Sequence, residues 1–153
     1  MTVKQKYVVP GGGDTFNVIG GDQITIKVGG EDTEGAFTAI ETITPPQAGP
    51  PPHVHEREDE TFYILDGEFE FRIGGSITRA KSGSFLMAPR RIPHRFQNVG
   101  DTPGKLLVVC QPAGFEKFVE EFATLPPDQP PDMEKMVAIG QKFGIEFVQE
   151  TSE

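Results

Sequence analysis

His53-Val54-His55-Glu56-Arg57-Glu58-Asp59-Glu60-Thr61-Phe62-Tyr63-Ile64-Leu65-Asp66-Gly67-Glu68-Phe69-Glu70-Phe71-Arg72-Ile73 is the stretch from which the fold can be read. Side chains of an extended chain point to alternate sides, so Phe69, Phe71 and Ile73 share one face of a strand while Glu68, Glu70 and Arg72 take the other. Asp66-Gly67 tolerates positive φ and predicts a two-residue type I′ hairpin, pairing Leu65 with Glu68, Ile64 with Phe69, Tyr63 with Glu70 and Phe62 with Phe71. The same period of two puts Glu60 on the apolar face with Phe62 and Ile64. A carboxylate is therefore aimed at the core. Tyr63 falls outward, where a packing or dimer contact suits it better than a catalytic role.

Outward from this stretch, short apolar or alternating segments are separated by turn signals, as in a sandwich or barrel. Strands are predicted at Phe16-Asn17-Val18-Ile19, Ile24-Thr25-Ile26-Lys27-Val28, Ala36 to Ile43, Thr61 to Leu65, Glu68 to Ile73, Ser84 to Met87, His94 to Gln97 and Lys105 to Cys110. Gly11-Gly12-Gly13, Gly20-Gly21, Gly29-Gly30 and Gly74-Gly75 lie between them. No Lys-Ser or Lys-Thr follows the first of these, so it reads as a turn and not a phosphate loop. After Pro112 the period changes. Phe115, Phe118, Val119 and Phe122 recur at helical spacing with Glu116, Glu120 and Glu121 on the other side, predicting a helix from Gly114 to Thr124 that lays its Phe face on the barrel. Pro126-Pro127 and Pro130-Pro131 end it. A second helix from Met133 to about Gly144 and a short strand, Ile145 to Val148, follow.

The 153 residues suit one domain, 1–153, with a barrel to about residue 112 and a helical extension over 113–153. Eighteen Gly and fourteen Pro favour short strands, and twelve Phe can furnish the core. A formal charge of −9 would repel phosphate backbones and anionic headgroups, so nucleic acid and membrane are not expected partners. The N-terminus, Met1-Thr2-Val3-Lys4-Gln5-Lys6, has no apolar stretch after its charges, and no run approaches the roughly 18 residues of a membrane span. A cytoplasmic protein is expected. The single cysteine, Cys110, sits in an apolar run and reads as a buried structural thiol, not a nucleophile.

His53 and His55, one residue apart, leave the same face of an extended strand. Glu60 follows at the interval of a bend and return strand, and His94 begins another strand whose face Phe96 shares. The chain has three histidines, and all three belong to this arrangement. Imidazole suits late first-row divalent metals and carboxylate extends the choice to iron and manganese, so the cofactor is one divalent transition metal: Fe, Ni, Mn, Co, Cu or Zn. Glu56, Glu58 and Asp59 read as solvated loop charges, and so do Arg90 and Arg91, one of which could instead reach the pocket rim. The expected pocket wall is Phe62, Ile64, Phe69, Phe71 and Phe96, although such residues are more often plain core.

These residues resemble the two motifs of the cupin superfamily. His53, His55, four residues, Glu60, six residues and Gly67 fit the first; Gly83, Pro89, His94 and Asn98 fit the second. Two positions depart: Gly49 stands closer to His53 than the family's leading Gly, and Arg91 occupies a place usually held by Gly. Neither is a ligand position. More narrowly the chain resembles single-domain bacterial cupins of the quercetin 2,3-dioxygenase-like type, through Glu31-Asp32-Thr33, Gly35-Ala36-Phe37, the run Pro50 to His55, Pro112-Ala113-Gly114-Phe115-Glu116 and Phe143-Gly144-Ile145-Glu146.

The resemblance implies an all-β fold, a double-stranded β-helix (jelly-roll barrel) with C-terminal helices, in a homodimer. It implies a metal held by His53, His55, Glu60 and His94, and a dioxygenase acting on a small aromatic or flavonol-like molecule with Glu60 as general base. Fold alone does not decide the reaction. A non-redox isomerase or epimerase of a sugar or keto acid would use the same metal as a Lewis acid, and a binding module without catalysis would use only the pocket.

Overall fold

A computed structural model describes residues 3–149. In chain order the elements are β1 (Asp14–Asn17), β2 (Gln23–Val28), α1 (Gly30–Thr33), β3 (Thr38–Thr44), β4 (His53–His55), β5 (Asp59–Asp66), β6 (Glu68–Ile73), β7 (Ser76–Lys81), β8 (Phe85–Ala88), β9 (His94–Asn98), β10 (Gly104–Gln111), α2 (Phe115–Phe122), α3 (Met133–Lys142) and β11 (Ile145–Phe147). Residues 1–2 and 150–153, the ends of the expected domain, lie outside the described residues. Among the described residues no helix is long and apolar enough to cross a membrane.

Two antiparallel sheets face each other: six strands in the order β1-β2-β3-β10-β5-β8, and five in the order β11-β4-β9-β6-β7. This is the expected double-stranded β-helix with C-terminal helices. Alternation decides what each sheet buries. On β5 Glu60, Phe62 and Ile64 are buried while Tyr63 and Leu65 are exposed, and on β6 Phe69 and Phe71 are buried. Phe62, Ile64, Phe69 and Leu106 have no exposed surface at all, so they close the middle of the barrel. Burial of each such side chain contributes roughly 1.5–3 kcal/mol.

The expected hairpin at Asp66-Gly67 does not form. Strand β5 pairs with β10 and β8, whereas β6 pairs with β7 and β9. A type I′ turn needs positive φ at both central residues, and only Gly67 (φ 99°) has it, so the chain passes from one sheet to the other. Phe62 and Phe71, expected as cross-strand neighbours, instead meet edge to face across the core with ring centroids 5.0 Å apart. Their inward orientation survives because alternation does not depend on which strand is the partner. The true hairpin lies one strand later, where Gly74-Gly75 joins Ile73 to Ser76. Its second strand, β7, was not expected: only Ala80 is buried along it, so it carries almost no alternation signal.

Helix α2 lays Phe115, Phe118, Val119 and Phe122 inward, as its spacing predicts. Glu116, expected on the polar side, is buried. Its carboxylate accepts from the Gly30 amide (2.5 Å), the Thr38 hydroxyl (2.6 Å) and the Gly114 amide (2.8 Å), pinning the start of α2 to α1 and β3. Burial alone would raise its pKa, but these donors hold the carboxyl below its usual range. Strand β11 then extends the five-stranded sheet beside β4, with Ile145 opposite His55 and Phe147 opposite His53.

Candidate metal centre

Strand β4 is only three residues long and buried throughout, and its alternation sends His53 and His55 to the same side. His94, the first residue of β9, pairs directly with His53. Glu60 comes from the opposing sheet, between Cys110 of β10 and Ala88 of β8. All four side chains are buried, and one donor atom from each lies within 4.8 Å of the others. The centre spans the two sheets.

Each imidazole is anchored from behind. His53 Nδ1 donates to the Pro51 carbonyl (2.9 Å), His94 Nδ1 to the Ile92 carbonyl (3.2 Å) and His55 Nδ1 to the Glu58 carboxylate (3.1 Å). A carbonyl or carboxylate can only accept, so Nδ1 carries the proton and Nε2 is left to face the centre. Second partners of this kind fix ring orientation in metal sites. Glu60 Oε1 lies 2.8 Å from His94 Nε2 and 3.2 Å from His55 Nε2. The second contact is not aligned as a hydrogen bond, and His55 Nε2 is the buried side-chain polar atom left without a partner among the described residues. Donors bound about 2.0–2.3 Å from a cation sit roughly 3–4 Å from one another, so this set fits a divalent transition metal.

Electrostatics fits the same use. Burial, then the neighbouring His94 and His55, pushes His53 well below the usual imidazole range, keeping it neutral. Burial would lower His55 too, but the charge of Glu60 and the hydrogen bond to Glu58 outweigh it and raise it to about 9. Glu60 is held well below the usual carboxylate range: burial opposes ionisation, and the charge of the neighbouring His55 with the hydrogen bond to His94 overcomes it. Binding a cation here would displace a proton from His55.

Glu58 corrects the expectation of a solvated charge. It is 4% exposed and backs His55, whereas Glu56 is exposed and Asp59 is paired at the surface with Arg90 at 3.2 Å. Its i,i+3 position after His55 was the available signal, hidden by three other acids in the same loop. Arg91, at the place of the usual Gly, has φ 70°, and its amide donates to the His55 carbonyl at 2.7 Å. Cys110 is 1% exposed on β10 opposite Glu60, and burial together with the Glu60 and Glu58 charges raises its thiol well above the usual range. It is an inert core thiol.

A cavity of about 60 Å³ runs from this centre beneath α2. His53 and Glu60 line it, and of the expected pocket residues Phe96 does so too. Phe62, Ile64, Phe69 and Phe71 lie in the closed aromatic core instead, where Phe96 packs against Phe69 and Phe71 at 5.9 and 5.7 Å. The roof comes from Phe115, Phe118 and Phe122 of α2. Their helical spacing was legible, but not that they cover a cavity. Phe115 stands 5.3 Å from the His55 ring.

Residues 40–110 match the family described as Cupin domain. The chain is 30% identical over 114 residues to quercetin 2,3-dioxygenase of Bacillus subtilis (strain 168), covering 74% of this chain and 33% of that protein. It is 31% identical over 104 residues to quercetin 2,3-dioxygenase of Aspergillus japonicus, covering 63% and 29%. The chain thus spans about a third of the length of these relatives. Among solved structures, KdgF from Halomonas sp. superposes with a TM-score of 0.66 at 21% identity, covering 74% of this chain and 99% of that one, a likeness of fold.

Proposed function

We propose, from the premise that this chain is a member of the cupin superfamily, that it is a metal-dependent dioxygenase acting on a small aromatic or flavonol-like substrate. The observation that carries this reading is the position of Glu60, which belongs to the metal donor set and also lines an otherwise apolar cavity. His53, His55, Glu60 and His94 would hold the ion. When bound, a divalent transition metal supplies Lewis acidity toward a substrate oxygen and, if redox-active, a route for O₂ into the reaction.

The chain's own residues do the rest. Glu60 Oε1 faces His55 and His94, leaving Oε2 to take the proton of an enolic or phenolic hydroxyl. Phe115, 5.3 Å from the His55 ring, and Phe96 in the cavity wall present apolar surface on the side of the centre. The remaining wall offers few polar side chains, Asp22 and Thr42 among them, which supports a flat aromatic over a sugar. A dry cavity of about 150 Å³ holds one benzene ring, so a flavonol would need the wall of this cavity of about 60 Å³ to yield.

Metal analysis of untagged protein, followed by oxygen uptake with flavonols, tests the reading. Glu60→Gln should keep the cavity but lose about 10²–10⁴ in rate per bound metal. Equal uptake by the two fully metallated proteins removes Glu60 as the base, and isomerisation of a keto acid or sugar without oxygen uptake replaces the dioxygenase by its non-redox rival.

A further inference from the structure

Asp22 lines the same cavity and has no part in the metal centre. It is 4% exposed, and one of its carboxyl oxygens, Oδ1, accepts from the Thr44 hydroxyl at 2.6 Å. Among the described residues no group is hydrogen-bonded to the other oxygen. Strand register places Asp22 and Glu60 at the levels of opposite ends of β3. Glu60 and Thr38 both pair with Cys110, while Asp22 is held by Thr44. Thr38 and Thr44 are the two ends of the seven-residue β3. Ile24, Ile40 and Val108 form the wall between, with Phe118 and Phe122 above. The cavity is therefore an apolar slot with a polar group at each end.

We infer that Asp22 is the distal anchor of this slot and takes a ligand hydroxyl, so that the preferred substrate is elongated, with oxygen donors at the metal end and a hydroxyl at the other. This rests on the reading of the metal centre given above. Burial raises the Asp22 carboxyl to about 7, with the Thr44 hydrogen bond acting against it. A hydroxyl both donates and accepts, so it satisfies Asp22 in either protonation state, whereas a carboxylate ligand would be repelled by the ionised form. Holding Thr44 would need only one oxygen; the second is available to a ligand.

The test uses two probes, 3-hydroxyflavone and 3,4′-dihydroxyflavone, titrated into the zinc-loaded protein, where the redox step is idle. Both carry the same metal-binding oxygens, and only the second carries a hydroxyl at the far end. The wild-type protein should bind the dihydroxy probe roughly 3- to 10-fold more tightly, the range of one net hydrogen bond. Asp22→Ala should erase that preference while leaving 3-hydroxyflavone affinity within about twofold. Should this variant not fold, Asp22→Ser keeps an oxygen for Thr44, withdraws the one facing the cavity and should erase the preference as well. Equal binding of the two probes by the wild type, or a preference that persists in the folded variant, overturns the role of Asp22 and leaves the flavonol reading standing. Failure of both probes to bind the wild type overturns both.

Discussion

His55 is held between two carboxylates: Glu58 Oε1 lies 3.1 Å from its Nδ1, and Glu60 Oε1 lies 3.2 Å from its Nε2. One carboxylate belongs to the donor set and the other orients the ring. Glu58→Gln still offers an oxygen to Nδ1–H but no charge, so metal affinity should fall by about 10–100-fold, the usual loss for such a supporting partner. Competition titration against a chromogenic chelator measures it. Unchanged affinity would mean that the carbonyl anchors of His53 and His94 suffice to order the centre.

Glu116 fastens α2 through three hydrogen bonds with almost no solvent contact. Glu116→Ala leaves those donors buried and unpaired, and should destabilise the protein by about 1–3 kcal/mol. Thermal unfolding would show a lowered Tm. An unshifted Tm would mean that the Phe face alone holds the helix. Truncation after Pro112 should be worse, since it strips the cover from Phe96 and Ile40.

Arg91 adopts φ 70° with its side chain largely in solvent, and its amide is what the fold uses. Glycine reaches this conformation without a Cβ clash, so Arg91→Gly should keep the amide bond to His55 and stabilise the fold by up to ~1 kcal/mol. Chemical denaturation of the two proteins compares them. Clear destabilisation by glycine would assign more weight to the Arg91–Glu56 surface contact than its 3.6 Å separation supports.

Asp22 makes stability depend on pH. Its pKa is raised from 3.8 to about 7 in the folded protein. Between these values the native chain holds a proton that the unfolded chain releases, so stability falls as pH rises through that window. Asp22→Asn cannot ionise. Its stability relative to the wild type, followed through Tm, should therefore improve from pH 4 to pH 8, by on the order of a few kcal/mol at most. A parallel pair of Tm curves would show that the carboxyl ionises as freely in the folded as in the unfolded chain.

The donor set was legible because it follows from local rules. His53 and His55 share a face by the period of two, and the same period carries Glu60 inward with Phe62 whatever strand lies beside it. Partner identity is not local, which is why the break between Asp66 and Glu68 read as a hairpin when the chain in fact changes sheets. Glu58, Asp22 and Glu116 were missed for a related reason. Asp22 and Glu116 are acids whose burial depends on Thr44 and Gly30 arriving from elsewhere in the fold, and Glu58, three residues after His55, was masked by the other acids of its loop.

Three donors stand on the five-stranded sheet and the fourth on the six-stranded one. An ion gripped by all four is a rivet between two layers that are otherwise joined by side-chain packing and the chain crossings. Its binding energy adds to resistance against unfolding by mass action, and the protein without it keeps a seam at which the layers can part. Thermal robustness and readiness for chemistry are then set by the same occupancy, and starving the protein of metal loosens the very wall against which a substrate would rest.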